Sequence, residues 1–520
     1  MQRKKLPIGI QTFAKIREGG EHYYVDKTPL AIELVRQGTH FFLSRPRRFG
    51  KSLFLDTLKE LFEGNAALFQ GLYAEQHWDW SVKYPVLRFS FGGGVLGSVQ
   101  DLQQSLHAQL RHHEERSGLA QKYPDARSRF IELIRHLESS SGQRVVILVD
   151  EYDKPILDRI EDPERAQAIR EVLKDFYSVI KDSDQYVRFA FLTGVSKFSK
   201  VSLFSGLNNL EDITLSPRYS AICGYTDEDI DTVFAPELPG LNREDIRCWY
   251  NGYNWLGTSV YNPFDLLLLF RNRIFSPYWF ETGTPTFLIK LLTQRGYFTP
   301  NLARMYAGEA LISTFDVDNI VSEALLFQTG YLTIHGVDQP IIGQWVYTLG
   351  YPNKEVEASL NASLLLGMGA DGMTAFGQRL RLIELLKTHN VPAMRDLFHA
   401  FFASIPHDWY RSSPIARYEG FYASVFYSHF AALGIDITLE DATNQGRIDM
   451  TVRFDGHVYL FEFKVVELAP EGKALQQLQD RNYAEKYRSR GEPIHLIGVE
   501  FSRDSRNIVA FDTLTLAASD

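Results

Sequence analysis

The sequence predicts an α/β protein whose first half is built on a parallel sheet. Apolar runs near residues 41–43, 85–91, 145–149 and 186–192 alternate with helix-patterned segments. The run Val145–Val149 is aliphatic throughout and β-branched except at Leu148, which is typical of a strand buried on both faces. A second α/β region is predicted near the C-terminus, where two strand patterns flank the tight turn Asp455-Gly456.

Composition and charge restrict the class of protein. The 520 residues are 45% hydrophobic, enough for several buried cores, and the net charge of −9 argues against a protein that coats nucleic acid through global attraction. The two cysteines, Cys223 and Cys248, favour free buried thiols in a reducing compartment. We find no apolar signal core and no run long enough to span a bilayer, so a cytoplasmic protein without membrane contact is expected.

The first candidate site follows the apolar run at residues 41–43. A turn ending in Gly50-Lys51-Ser52 leads into the helix-patterned Leu53–Phe62, an order that aims backbone N–H groups at a phosphate. Lys51 would supply a charge to the β- and γ-phosphates, and Ser52 a hydroxyl to Mg²⁺. The usual opening glycine is replaced by Arg45, and the alternative is a capped surface helix behind a basic loop. The predicted nucleotide contacts are Arg47, Arg48, Phe49, Gly50, Lys51, Ser52 and Leu53.

Two later strands carry residues suited to the same site. Asp150 and Glu151 end the buried strand, at the edge where open α/β sheets bind ligands. Asp150 is placed to order the Mg²⁺ shell and Glu151 to polarise the attacking water. Thr193, at the end of the next strand, is a candidate contact to the γ-phosphate, although its hydroxyl could equally satisfy its own turn. A solvated strand end capped by acids is the alternative for the pair. Together these features predict a P-loop nucleotide-binding core.

The C-terminal hairpin carries a second candidate site. Period-two geometry puts Glu462 and Lys464 on one face of their strand, away from Phe461 and Phe463, and Asp449 lies on the neighbouring strand. Asp449 and Glu462 would bind one or two Mg²⁺ ions that activate water at a phosphodiester, with Lys464 assisting the attack. An exposed hairpin with alternating charges is the alternative.

The whole chain resembles a bacterial family of AAA-ATPase-like proteins with a C-terminal domain of the PD-(D/E)xK nuclease superfamily. The motifs that carry the resemblance are Tyr24-Val25-Asp26-Lys27-Thr28, 44–52, 148–153, 191–195, Asn208-Asn209-Leu210, 250–253, 261–263 and 351–356. The resemblance implies an ATPase core and a restriction-endonuclease-like domain. It also implies that Glu419 is a helical metal-binding acid and that Gln477 contacts the nucleic-acid backbone.

Four domains are expected from these patterns. They are an ATPase core at 1–220, a helical lid at 221–300, a winged-helix-like or helical linker at 301–405, and the nuclease-like domain at 406–520. The aromatic turn near 250–255 suits a packed lid or base stacking, and the winged-helix-like hairpin suits a regulatory spacer or a DNA reader.

The expected function is Mg²⁺-dependent ATP binding and hydrolysis coupled to a metal-dependent nuclease acting on DNA or RNA. The catalytic candidates are Glu151, Asp449, Glu462 and Lys464. Arg47 and Arg48 either touch phosphate, act across a subunit boundary in a homo-oligomer, or are solvated loop charges. The alternative function is a nucleotide-switched scaffold whose C-terminal domain binds nucleic acid or protein without cleaving it.

Overall fold

The computed structural model describes residues 3–197, 207, 209–283, 286–295, 299–309, 312, 321–367, 372–404 and 419–517. Contacts divide the chain into two compact units. The first comprises Met1–Thr282 and Tyr306–Asn353, and the second comprises Gly283–Met305 and Lys354–Asp520. The predicted division into four domains stays a prediction, since these units follow a different grouping.

The first unit is built around a five-stranded sheet with the order β2-β3-β4-β1-β5. All of its neighbouring strands run parallel. The central strands β1, β3 and β4 are almost wholly buried, whereas the edge strand β2 alternates, as expected when one face and one edge are less covered. The strands are β1 His40–Ser44, β2 Val86–Ser90, β3 Val145–Asp150, β4 Val187–Gly194 and β5 Glu211–Asp212.

Helices connect these strands, which is how parallel neighbours are joined. Those that precede β5 are α1 Phe13–Arg17, α2 Thr28–Gln37, α3 Lys51–Phe62, α4 Ala74–His77, α5 Val99–Ser117, α6 Ala126–Ser141, α7 Lys154–Leu157 and α8 Pro163–Asp182. Four more follow the sheet: α9 Asp227–Thr232, α10 Arg243–Tyr250, α11 Pro263–Asn272 and α12 Tyr278–Gly283. Thr226 and Asp229 form a reciprocal capping box at the start of α9, which fixes where that helix begins.

A small three-stranded sheet, in the order β6-β8-β7, accompanies the first unit. Strands β7 and β8 form an antiparallel hairpin. Its strands are β6 Met305–Gly308, β7 Thr333–Ile341 and β8 Gln344–Gly350, and the helix before the hairpin is α14 Ser322–Thr329. A helix followed by a hairpin is the arrangement expected for a winged-helix-like region.

The second unit holds a mixed five-stranded sheet in the order β13-β12-β11-β10-β9. Only β11 and β12 pair in parallel; the other neighbours are antiparallel. Its strands are β9 Asp436–Thr443, β10 Gly446–Phe454, β11 His457–Val466, β12 Ile494–Ser502 and β13 Ile508–Leu516. Its helices are α13 Thr286–Gln294, α15 Lys354–Gly367, α16 Gly372–Lys387, α17 Met394–Ser404, α18 Glu419–Ala431, α19 Lys473–Asp480 and α20 Glu485–Arg488.

The described helices and the two cysteines bear on the expectations about membrane contact and thiols. Among the helices that the structure describes, none is both long and apolar enough to cross a bilayer. Both cysteines are free, as expected, but only Cys223 is buried, so the prediction of a buried thiol is wrong for the exposed Cys248. Cys248 lies on α10, a short helix whose buried residues are Ile246 and Tyr250, so its side chain falls on the opposite face.

Candidate functional sites

The loop between β1 and α3 is shaped by its own lysine. Gly50 has φ +96°, a left-handed conformation that starts α3 sharply after the loop. The ammonium of Lys51 donates hydrogen bonds to the carbonyl oxygens of Arg45 and Pro46, at 2.8 and 2.9 Å. Burial lowers the pKa of Lys51, and the nearby carboxylates of Glu151 and Asp150 act against that shift. The lysine therefore lies inside the turn, beside the acids at the tip of β3.

Arg45 anchors the loop where a glycine would usually stand. Its side chain is fully buried and donates hydrogen bonds to the carbonyl oxygens of Thr214 and Tyr219, at 2.9 and 3.1 Å. Its guanidinium lies 4.0 Å from the centre of the Trp255 ring. Burial lowers the pKa of Arg45 to about 10. Sequence reasoning missed this role, because nothing along the chain indicates which distant carbonyls the guanidinium would reach.

Aromatic residues hold the remainder of the loop. Phe49 is buried, and its ring packs edge-on against Tyr253 with centroids 4.7 Å apart. The Arg48 guanidinium lies 4.2 Å above the Phe264 ring, and the carbonyl of Arg47 accepts a hydrogen bond from the Trp279 indole at 3.1 Å. The side chain of Arg47 is exposed. Both loop arginines predicted to contact phosphate are thus exposed, and Arg48 also packs on an aromatic ring.

The carboxyl ends of β1, β3 and β4 lie at one edge of the sheet, because β4 pairs in parallel with both other strands. There the Thr193 hydroxyl donates a hydrogen bond to Asp150 Oδ1 at 2.9 Å, and both side chains are buried. The other oxygen of Asp150 lies 3.8 Å from the Arg88 guanidinium, which also pairs with Asp56 at 2.6 Å. Thr193 and Arg88 therefore hold the orientation of Asp150; a contact between Thr193 and phosphate stays a prediction.

Glu151, the next residue, sits in a strained position. Its φ of +53° is a left-handed conformation that is uncommon for a residue with a side chain. Burial raises the pKa of Glu151, while the Lys51 ammonium works in the opposite direction and Asp150 adds to the rise. A half-buried carboxylate with an elevated pKa beside a cation has the character expected of a proton acceptor.

These groups border a cavity of about 410 Å³ in the first unit. Basic side chains and one acid stand on its wall: Lys27, Arg47, Arg48, Lys51, Lys154 and Glu151. Ser52, Leu53, Phe49 and Gly50 line it as well. The described residues on the rest of the wall are largely apolar, among them Ile10, Tyr24, Tyr225, Phe264 and Leu267. A wall that combines cationic and apolar side chains suits a ligand that is part polyanion and part flat ring.

The second site forms where the β10–β11 hairpin meets α19. Met450 faces Phe461 across the antiparallel hairpin. Asp449 and Glu462 are the next residues on the two strands, so they also lie side by side. Asp449 accepts a hydrogen bond from the backbone N–H of Phe463 at 2.8 Å. The Glu462 carboxylate is buried and accepts from Lys464 at 3.2 Å and from the amide of Gln477. The structure therefore brings Asp449, Glu462, Lys464 and Gln477 together.

Helix α19 is placed by an acid that sequence reasoning did not identify. Glu500 on β12 accepts hydrogen bonds from the backbone N–H groups of Glu471 and Lys473 at 2.6 and 2.7 Å. Burial alone would raise the pKa of Glu500, but the backbone hydrogen bonds at the start of the helix outweigh it and lower the pKa. With its start fixed, α19 directs Gln477 at Glu462.

The donor atoms of this second site fit a hard divalent cation. Asp449 and Glu462 offer carboxylate oxygens, the kind of ligand that Mg²⁺ prefers. The side chain of Glu419, predicted as a further metal ligand, lies outside the described residues, although the backbone of Glu419 begins α18. Asn208, part of the motif that carries the family resemblance, also lies outside them.

Comparisons with known proteins match the two sites to two different families. A family model described as "Predicted AAA-ATPase" matches residues 7–204, and a model of the PD-(D/E)XK nuclease superfamily matches residues 417–511. An "Uncharacterized protein in vnfD 5'region" of Azotobacter chroococcum mcd 1 is 65% identical over 511 residues, which cover 98% of this chain and 99% of that protein. No solved structure matches the chain significantly.

Proposed function

Because the chain belongs to the family of predicted AAA-ATPases with a C-terminal PD-(D/E)XK nuclease superfamily domain, we propose that it hydrolyses ATP at one site and cleaves nucleic acid at the other. Both reactions are attacks of water on phosphorus. ATP and Mg²⁺ are the proposed cofactor set, and DNA or RNA is the proposed substrate of the second unit.

The 410 Å³ cavity carries the proposal for ATP. The N-terminus of the twelve-residue helix α3 opens toward this cavity through Lys51 and Ser52, so its N–H groups and partial positive charge favour an anion there. The triphosphate would lie against Lys51, Arg47 and Arg48. The base would lie against apolar parts of the wall, near Tyr24 and Tyr225.

We assign each chemical role in the first site to a residue. Glu151 accepts a proton from the attacking water, since its carboxylate borders the cavity. Asp150, oriented by Thr193, and the hydroxyl of Ser52 would hold Mg²⁺, which would offset the charge of the phosphates when bound. Lys51 would exchange its hydrogen bonds with the loop carbonyls for contacts with phosphate.

Turnover of ATP by purified protein tests this part of the proposal. Lys51→Ala should abolish ATP binding and hydrolysis. It removes the positive charge that would contact the phosphates, and it removes the hydrogen bonds that shape the loop. The matched control is Lys83→Ala, an exposed lysine outside the cavity that should behave as the natural chain. Equal turnover by the Lys51→Ala protein would contradict the proposal.

In the second site, the convergence of Asp449, Glu462, Lys464 and Gln477 supports cleavage of a phosphodiester. Asp449 and Glu462 would hold Mg²⁺, which supplies an activated water and neutralises charge on the phosphate. Lys464 stabilises the negative charge that develops during attack, and Gln477 contacts the substrate backbone. The net charge of the chain is −9, so a nucleic acid would have to be attracted by local positive groups such as Lys464.

Nuclease assays on plasmid, single-stranded DNA and RNA, with Mg²⁺ or Mn²⁺ and with ATP, ADP or no nucleotide, test this second activity. Cleavage should disappear in Glu462→Ala and persist in Glu467→Gln, an exposed acid just beyond the same strand. If no substrate is cut under any nucleotide condition while binding to nucleic acid persists, the nucleotide-switched scaffold is supported instead.

A further inference from the structure

Three histidines meet at one end of the sheet in the second unit. His389 follows α16, His457 begins β11 and His495 lies on β12. One ring nitrogen from each lies within 4.8 Å of one ring nitrogen from each of the others. The rings of His389 and His457 stack with centroids 3.4 Å apart, and His457 Nδ1 lies 2.8 Å from His495 Nε2. No role in ATP or phosphodiester chemistry uses these residues.

The outer nitrogens of two rings are already held by oxygen atoms. His389 Nδ1 lies 3.0 Å from the Tyr459 hydroxyl, and His495 Nδ1 lies 3.0 Å from Thr515 Oγ1. Metal-binding histidines usually bond their second nitrogen to an oxygen in this way, which fixes the tautomer and the ring orientation. In both residues Nε2 is then the nitrogen that would bind a metal, and for His495 the ion would replace the 2.8 Å contact of Nε2 with His457 Nδ1.

We propose that His389, His457 and His495 bind one transition-metal ion of the zinc class. Three imidazole nitrogens without a carboxylate suit Zn²⁺, Ni²⁺, Co²⁺ or Cu²⁺ and are poor ligands for Mg²⁺. A tetrahedral ion with three protein ligands leaves its fourth position to water.

This site is separate from the acidic site on the same hairpin. His457 and Glu462 are five residues apart on β11, a distance of about 17 Å at the usual rise of an extended strand. The histidines lie at the end of the hairpin that carries the Asp455-Gly456 turn, and Asp449 and Glu462 lie toward the other end. A metal ion bound by the histidines would therefore not serve the proposed cleavage directly.

The expected effect of the ion is to join separate parts of the chain. It would connect the turn after α16 to the paired strands β11 and β12, which otherwise meet there through ring stacking and the contact of His389 with Tyr459. Two parallel rings cannot both point a nitrogen lone pair at one ion. The planes of all three rings lie within 9–10° of one another, so binding requires the half-buried His389 and His457 rings to turn about their side-chain bonds while His495 stays fixed by Thr515.

Metal content and cobalt spectroscopy on the full-length chain test the proposal. The Glu462→Ala protein is the background, because it weakens the acidic site that could also take Zn²⁺. After dialysis against EDTA and reloading, this protein should bind one equivalent of Zn²⁺, and Co²⁺ should give the visible absorption of a four-coordinate nitrogen-rich site. Added Mg²⁺ in excess should not displace either ion.

Adding His457→Gln to that background should weaken Zn²⁺ binding at least about tenfold and remove the cobalt band, as loss of a ligand requires. His389→Gln, on a residue of the turn after α16 and not of a strand, is a second test in case His457→Gln perturbs the fold. His399→Gln is the matched control, since His399 is an exposed histidine on α17. Equal zinc content in the His457→Gln, His389→Gln and His399→Gln proteins, or no zinc in their common background, would overturn the proposal.

Discussion

Glu151 shows how one residue can be tuned by its neighbours. Its backbone is left-handed, its carboxylate is half-buried, and the Lys51 ammonium partly offsets the cost of that burial. Strain of this kind costs on the order of 1–3 kcal/mol and persists only where the surrounding structure enforces it. Here the enforcement comes from Tyr152, whose backbone N–H bonds to Thr193 on the neighbouring strand at 3.0 Å.

Replacing Glu151 with glutamine should lower the rate of ATP hydrolysis by about 10²–10⁴-fold while leaving ATP bound, because only the proton acceptor is lost. Glu161→Gln, which changes an exposed acid further along the chain, is the control. Single-turnover hydrolysis together with equilibrium binding of ATP separates the two effects. A Glu151→Gln protein that hydrolyses at the natural rate would contradict the role.

The pH dependence of hydrolysis follows from the same carboxylate. Burial raises the pKa of Glu151 above its ordinary value of 4.5, and a base must be deprotonated to act. The rate should therefore fall as the pH drops through that raised pKa, which places the acid limb above 4.5. Rate profiles from pH 4.5 to 8 at saturating ATP measure the limb; a rate that stays constant across this range would argue against Glu151 as the base.

His429 is a buried histidine outside both sites. Its ring packs edge-on against Phe398 and Phe401, and neither ring nitrogen has a hydrogen-bond partner among the described residues. Burial lowers the pKa of His429 to about 3. Because its folded pKa lies below the ordinary 6.5, the unfolded chain binds a proton that the folded chain cannot, and stability is lost as the pH falls below 6.5.

Between pH 6.5 and 4 this one group should cost about 1.4 kcal/mol of unfolding free energy per pH unit. His429→Leu, which keeps an apolar side chain among the phenylalanines, should reduce that slope by one proton, whereas the exposed control His399→Gln should not. Urea unfolding of the second unit at several pH values measures the slope. The same slope in both variants would show that His429 does not titrate in this way.

At the scale of elements, the loop between β1 and α3 is held in place by contacts with residues far away along the chain. A loop with the usual opening glycine relies on backbone flexibility, whereas this one is tied by Arg45 to the segment after β5 and by Phe49 to Tyr253 and Trp255. The loop is thereby preorganised before any phosphate arrives, which reduces the ordering that binding would otherwise require.

Arg45→Ala should therefore destabilise the first unit by about 2–4 kcal/mol, since it leaves buried carbonyls without their donor and removes the contact with Trp255. ATP affinity should fall with it. Arg47→Ala is the informative comparison: Arg47 is exposed, so thermal stability should hold while ATP affinity weakens. Thermal unfolding and ATP titration give both quantities. A fully stable Arg45→Ala protein would contradict the anchoring role.

At the scale of the whole chain, the second unit draws on segments well before the predicted boundary at residue 406. On α18, Phe426 stacks on Phe398 of α17 with centroids 3.8 Å apart. On the same helix, Ser428 donates to Asn361 of α15 at 2.9 Å, and Tyr427 donates to Glu357 at 3.1 Å. Helix α18 thus completes its packing with helices that precede it.

A fragment of residues 406–520 should consequently lose cooperative unfolding, because α18 would expose the face that α15 and α17 cover. A fragment of residues 283–520, which keeps those helices and the segment Gly283–Met305 of the same unit, should retain it. Thermal circular dichroism on the two fragments decides the matter. Cooperative melting of the shorter fragment at the temperature of the longer one would show that the nuclease-like region folds without its preceding helices.

Local signals were enough to predict much of this architecture. The apolar runs at 41–43 and 145–149 became β1 and β3, and the Asp455-Gly456 turn joins β10 to β11. Strand periodicity predicts that Glu462 and Lys464 share a face, the family resemblance alone indicates Gln477, and the three side chains meet in the structure. By contrast, Arg45, Arg88 and Glu500 act through partners far away along the chain, so no local pattern distinguishes them from other charged residues.

By itself, the sequence determined the parallel α/β core. It also determined that a Gly-Lys-Ser turn follows β1, that two acids end β3, and that the hairpin carries two acids and a lysine. These features depend on residue types at short separations along the chain, which can be recognised in the sequence alone. Only the tertiary structure decided that Thr193 orients Asp150, that Arg45 anchors the loop, and that three histidines gather beside the hairpin turn. Such contacts arise from chain crossings between residues tens to hundreds of positions apart, where spacing along the sequence carries no information about distance in space.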